Sequence, residues 1–255
     1  MQEEARQRSE SDERAFFARY YAEARYHPLG WRLRMQRDLR VLRASAGARG
    51  LGRTLSIGCG DGAFELLLAP HTESVVGVDL SPEAIAAAER ARSAAGAANV
   101  SFRCLSFRDL PWSEKFETIT CLAFLHHVPE AELPGFLQAC HAHLEPGGLF
   151  FSQDPNARGV LRAVGRAALG KRYHAYHTPE ERELDPAELT RTLRAAGFAD
   201  VAIRHVDLTL IPACFVLRRG PSLALRLAAL VDRIWCATPL ARWSSGFAAV
   251  ARRAR

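Results

Sequence analysis

The chain has 255 residues, 48% of them hydrophobic and 24% charged, which suits one soluble domain with a sizeable core and excludes a disordered or fibrous chain. Its 34 basic residues are nearly all arginine and stand among 28 carboxylates, so the net charge of +6 comes without the aromatic-interleaved basic tract of a nucleic-acid binder. Charges interrupt every apolar run short of the roughly 20 residues that span a bilayer, and the N-terminal MQEEARQRSESDERAFF lacks the apolar stretch of a secretion signal; no transmembrane segment and a cytoplasmic location are expected.

Residues 1–50 open on charges of both signs and then concentrate aromatics in FFARYYAEARYHPLGW, read as an N-terminal helical cap. It either covers a ligand or packs on a sheet edge. From Arg53, short apolar runs alternate with helix-period segments. RTLSIG, SVVGVD, NVSFRC, FETITC and GGLFFSQ are short enough to be buried strands, the first to fifth in order. Between the second and third, SPEAIAAAERARSAAG is a helix with Ser81 as N-cap, Pro82 in the first turn and Gly96 beyond its end. PEAELPGFLQACHAHLEPGG is a further helix, starting late because of Pro134 and stopping before Gly147.

A basic segment from Arg158 to Arg182 follows, then the helix LDPAELTRTLRAAGF with Asp185 capping and Gly197 terminating, then ADVAIRHVDLTL as a strand. GPSLALRLAALVDRIW is an amphipathic helix, with Leu223, Leu227, Leu230, Val231, Ile234 and Trp235 read as core packing before the wall of an apolar pocket or a dimer interface, and GFAAVARR is a last edge strand. This alternation predicts an α/β class, a Rossmann-like doubly wound sheet of about seven strands, mostly parallel with an antiparallel edge strand. Residues 51–255 form the one domain, with insertions at about 155–184 and 212–245. The six cysteines form no CxxC pair and are expected to be small, reduced core residues.

The first strand ends in GCGDG. Gly58, Gly60 and Gly62 sit where a strand turns sharply into a helix, so that missing side chains let backbone amides approach a ligand. Asp79 ends the next strand, 21 residues after Gly58, where its carboxylate can accept hydrogen bonds from a ribose diol. On these residues alone a dinucleotide and S-adenosylmethionine compete, and an oxidoreductase using a nicotinamide cofactor stays open.

Continuing through GVDLSPEAIAAA, RDLPW, FETITCLAFLHHV and LEPGGLFF, order and spacing resemble the class I S-adenosylmethionine-dependent methyltransferases, in particular the small-molecule branch that carries LHHV after the fourth strand; the likeness runs from about Arg53 to Asp207. The resemblance implies S-adenosylmethionine as cofactor, with Gly58, Cys59 and Gly60 along its methionine part, Asp79 on the ribose hydroxyls and Leu80 on the adenine. It further puts Ser106 and Phe107 at the adenine edge, and Cys121 and Leu122 flanking the sulfonium. The chain departs from the family at Ser56 and Ser106, where an acidic residue is common. A protein that keeps the fold and has lost the chemistry is the alternative those two serines leave.

A sulfonium is a good leaving group, so a base is needed only when the nucleophile carries a proton. The candidates are His126 and His127, just beyond the fourth strand, and Asp154, at the end of the fifth, because those strand ends face one crevice. The resemblance makes His126 the pocket-facing member of the pair and so the expected base, with Asp154 beside it, and His127 is expected to point elsewhere, since adjacent side chains leaving a strand end rarely share a pocket; the alternative is that both histidines cap a turn and Asp154 opens the DPN turn. No third ligand recurs at useful spacing, so no metal is expected. The partner is a medium-sized, partly apolar small-molecule acceptor, lipid-like or carrier-bound, methylated on oxygen or nitrogen and less readily on carbon. Arg158, Arg162 and Arg166, with Lys171 and Arg172 beyond, recur on one helical face and read as a basic lid or a solvated face.

Overall fold

The computed structural model describes residues 27–110, 113–170, 181–217 and 220–255, together with Ser11. The aromatic residues 16–26 and the Lys171 and Arg172 pair lie outside the described residues.

Each apolar run forms its strand: β1 (Arg53–Ile57), β2 (Ser74–Asp79), β3 (Val100–Cys104), β4 (Phe116–Leu122) and β5 (Leu144–Pro155). They are joined by β6 (Ala199–Val206) and β7 (Gly246–Arg252) in one sheet of order β3-β2-β1-β4-β5-β7-β6. All neighbours from β3 to β5 are parallel, and β7 runs antiparallel to both β5 and β6. The GFAAVARR segment is therefore antiparallel as expected but lies one strand in from the edge, which β6 occupies. Its unbroken burial from Gly246 to Ala251 is what an interior strand, covered on both faces, requires.

Successive residues of a strand face opposite ways, and the sheet uses both faces. On one, Ile119 and Phe150 pack with Phe136 and Leu137 of α4 (Leu133–His143) and with Leu189 and Leu193 of α6 (Pro186–Ala195). On the other, Val75 and Phe151 pack with Leu42 of α1 (Pro28–Ala46) and with Phe64 and Leu68 of α2 (Ala63–Leu68). The helix α3 (Pro82–Ala95) follows its punctuation: Ser81 Oγ accepts from the Ala84 amide, and Gly96 ends it at φ +62°. At α6, Asp185 accepts from the amides of Ala187 and Glu188.

The rim over the carboxyl ends of the parallel strands is built by α5 (Val160–Leu169) and α7 (Leu210–Val216), which line the cavity, with α8 (Ser222–Trp235) packed on α7 and α1. Two expectations are corrected there. LTL does not continue β6: Asp207 turns the chain at φ +61°, and a short helix follows. The outer residues of α8 are not core, because Leu223, Leu227 and Ile234 are 66%, 53% and 62% exposed. Of the free cysteines, Cys59, Cys121, Cys140 and Cys214 are buried, Cys236 is half-buried, and Cys104 is exposed at the end of edge strand β3.

Candidate active site

A cavity of about 750 Å³ lies across the carboxyl ends of β1, β2, β4 and β5. Gly58, Cys59, Gly60, Asp79, Leu80, Ser106, Phe107 and Leu122 all line it. β1 enters the turn at Gly58, which has φ +74° and a neighbour so close that an added Cβ would meet the Phe124 ring at 2.5 Å. Only glycine fits. The turn's amides, however, are engaged within the fold: those of Gly58 and Cys59 donate to the Val78 carbonyl at 2.9 and 3.0 Å, and that of Gly60 to Asp79 Oδ2 at 2.8 Å. The turn is thereby pinned to β2 and does not present those three donors to a ligand.

Asp79 Oδ1 accepts from the Ser81 amide at 2.9 Å. Burial raises its pKa, and the backbone donors from Ser81 and Gly60 work against that rise. Each of its oxygens keeps a second lone pair for a hydroxyl. Ser106 Oγ caps the turn at Phe107–Asp109 by accepting from the Arg108 amide at 3.3 Å, and Phe107 stands edge-on to Phe124 and Phe136. Cys121 is fully buried in the α4-side core and does not border the cavity. Strand alternation turns it away while Leu122 faces in.

The turn at Leu125–His127 is a 3-10 turn, and this sets the histidines. Tighter than a strand, it brings both rings to the cavity wall, with centroids 4.2 Å apart, so the expectation that only one would face the pocket does not hold. The two differ in their support. His126, 6% exposed, has Nδ1 3.0 Å from Asp154 Oδ1, which also accepts from the His126 amide at 3.3 Å. Asp154 lies beneath the wall, fully buried. With a proton on Nδ1 held by Asp154, the Nε2 lone pair is the free basic site of the ring. Nε2 lies 3.7 Å from Glu181 Oε1, which also lines the cavity.

Glu181 supplies the third ligand that sequence spacing did not show: ligand atoms of His126, His127 and Glu181 lie within 4.8 Å of one another, a set able to take a cation.

Other site residues were not singled out from the sequence. Glu65, on α2, reaches under the glycine turn so that Ser56 Oγ donates to its Oε1 at 2.5 Å, while its buried Oε2 has no hydrogen-bond partner among the described residues. Burial pushes its pKa up to about 7, against the opposing Ser56 hydrogen bond. The acid absent at position 56 is thus present nine residues later, and the serine was the signal. Arg34, from α1, lines the cavity with its guanidinium 4.5 Å from the Trp31 ring centre. It donates to Asp207 Oδ2 and to Gln153 Oε1, each at 3.0 Å. Nothing local in the sequence links partners 173 residues apart.

The sheet order and this wall can be compared with known proteins. A family model described as a methyltransferase domain matches residues 54–148. A ubiquinone biosynthesis O-methyltransferase of Xanthomonas euvesicatoria is 33% identical over 152 residues, 57% of this chain and 62% of that protein. Its counterpart in Burkholderia pseudomallei is 31% identical over 163 residues, covering 60% and 67%. The chain belongs to the class I S-adenosylmethionine-dependent methyltransferases. Its fold is that of the N-methyltransferase NodS of Bradyrhizobium japonicum, solved with S-adenosylhomocysteine, at a TM-score of 0.55 and 17% identity, over 90% of this chain and 89% of that one. This methyltransferase spans 62 to 63% of the length of the first curated relatives it matches.

The wall of this methyltransferase fits the family's cofactor. Asp79 offers carboxylate oxygens for a ribose diol, Leu80 and Phe107 an apolar slot for a flat ring, and the unpartnered Glu65 Oε2 an acceptor for an ammonium group.

Proposed function

We propose that the protein transfers a methyl group from S-adenosylmethionine to a hydroxyl oxygen of a partly apolar small molecule, with His126 as general base. The observation that carries the reading is the His126–Asp154 pair, which directs a basic Nε2 into the same cavity as Asp79 and the glycine turn. The similarity to ubiquinone biosynthesis O-methyltransferases supports oxygen as the nucleophile and a quinone-like hydroxylated aromatic as the acceptor class.

In this reading Asp79 and Glu65 hold the cofactor's hydroxyls and ammonium, and Leu80 and Phe107 take its adenine. The cofactor supplies an electrophilic methyl on a sulfonium leaving group. The acceptor enters between Phe124, the histidine pair and the rim. There His126 Nε2 would take the acceptor's hydroxyl proton, while bound S-adenosylmethionine would supply the methyl group to the acceptor oxygen and keep its sulfur as the neutral thioether of S-adenosylhomocysteine. Asp154 holds the ring in the tautomer that accepts the proton and stabilises the imidazolium.

The His126, His127 and Glu181 grouping favours one second reading, in which a divalent cation on those ligands binds the acceptor oxygen and lowers its pKa. Kinetics separates the two. His126→Ala is expected to lower turnover by roughly 100-fold or more with S-adenosylhomocysteine affinity unchanged, and His127→Ala by only a few-fold. Dialysis against a chelator should leave the wild-type rate intact. Loss restored by added divalent cation assigns the role to the metal. Little effect from either histidine leaves proximity and desolvation as the whole of catalysis.

A further inference from the structure

Every exposed large hydrophobic among the described residues falls in two stretches, 160–169 and 215–243. Most lie along α8 and the turn after it. The helix is apolar on two opposite sides. Leu225, Ala228 and Ala229 face inward onto α1 and α7, with Asp232 between them accepting from Thr209 and Leu210 amides. Leu223, Leu227, Leu230, Val231 and Ile234 recur at helical spacing on the side away from these and are 47 to 66% exposed. A two-sided apolar helix is ordinarily covered on both sides, and no described element covers this one.

Charge says what does. Residues 208–245 contain five arginines and one acid. That acid, Asp232, is the buried cap just described, whereas Arg226, Arg233 and Arg242 are exposed. On the helical wheel Arg226 and Arg233 flank the apolar stripe on one edge. Arginines bordering an apolar face, with no exposed acid in the segment, match the boundary between anionic headgroups and acyl chains, and Trp243 is the side chain that favours that boundary.

The same surface runs into the active site. Leu161, Leu169, Phe215 and Val216 each line the cavity, and each is exposed. From these observations we infer that α8 and the turn after it seat the protein on an anionic bilayer, as an interfacial and not a spanning element, with the cavity mouth turned towards the lipid. No helix of the described residues is long and apolar enough to cross a membrane. The inference rests on the proposed apolar acceptor, which would reach the cavity from the bilayer without crossing water.

The full chain, sedimented with phosphatidylcholine vesicles with and without phosphatidylglycerol, tests this. Binding to the anionic vesicles at low salt should exceed that to neutral ones by roughly tenfold or more and weaken as salt rises. Leu227→Glu with Ile234→Glu, neither residue bordering the cavity, should cut that binding at least tenfold, with S-adenosylhomocysteine affinity unchanged as proof of folding. Arg226→Gln, Arg233→Gln and Arg242→Gln together should erase the preference for anionic lipid. Absence of wild-type binding to anionic vesicles, or equal binding by the glutamate variant, overturns the inference. So does light scattering that finds a wild-type dimer made monomeric by the glutamate pair, since the stripe then belongs to a second copy. Failure to bind S-adenosylhomocysteine counts against the cofactor assignment instead and leaves the lipid result readable.

Discussion

Glu65 is a group whose cost to the empty protein and whose proposed use in holding the cofactor share one cause. Burial raises its pKa from 4.5 to about 7. A folded pKa above the unfolded one means its contribution to stability is complete below about pH 4.5 and is lost as pH rises through about 7. The rise corresponds to about 3 kcal/mol at most, so the ligand-free protein should be harder to unfold in urea near pH 5 than near pH 8 on this group's account. Glu65→Gln should flatten that slope and stabilise the apoprotein at the higher pH while weakening S-adenosylhomocysteine binding. A variant with unaltered pH slope and affinity would remove Glu65 from the site. Asp79→Asn should cost roughly tenfold in the same affinity, because its amide cannot accept from both the diol and the Gly60 and Ser81 amides. Calorimetry reads both. Asp79 was legible because its distance from Gly58 reflects one βα turn and one strand. Glu65 was not, because only the folded helix brings it under Ser56.

At the scale of elements, α1 is joined to the end of β6 by buried charge. Arg34 and Arg37 converge on Asp207. Burial alone would raise the Asp207 pKa, but the two guanidiniums outweigh it and hold it at about 2. Asp207→Asn leaves Arg34 buried beside a neutral partner and should destabilise the protein by about 3 to 5 kcal/mol in urea unfolding. A loss under about 1 kcal/mol would show that α1 is held by its apolar contacts alone. The strands, α3 and α6 were readable because caps and periodicity are local signals. α7 was missed because LTLIPACFV is as β-branched and apolar as a strand, and only the turn at Asp207 separates it from β6. Arg158, Arg162 and Arg166 were read as one helical face, but Arg158 precedes α5, and their partners were not legible: Arg158 pairs with Asp185, and Arg162 and Arg166 share Glu183. Replacing all three with glutamine should therefore raise the acceptor KM by loosening the rim without altering its salt dependence. A flattened salt dependence would mean that they reach an acidic acceptor after all.

For the whole molecule, the order β3-β2-β1-β4-β5-β7-β6 gathers the carboxyl ends of the parallel strands around one crevice, where open α/β sheets bind ligands. Alternating runs made that crevice legible. The rim was not, since its helices carry no motif and their exposure depends on what packs around them. In the proposed reaction cofactor and acceptor meet at His126, which follows β4 and is held by Asp154 of β5. The most direct test is a single turnover with isotope-labelled methyl S-adenosylmethionine and a quinone-like hydroxylated aromatic acceptor bearing an alkyl tail, followed by mass spectrometry of the product and by its rate across pH. The label is expected on the acceptor oxygen, formed roughly 100-fold more slowly in His126→Ala than in the wild type at every pH where both stay folded. An acceptor left unlabelled by protein that binds S-adenosylhomocysteine, or labelled equally fast by the two proteins, would contradict the proposed reaction.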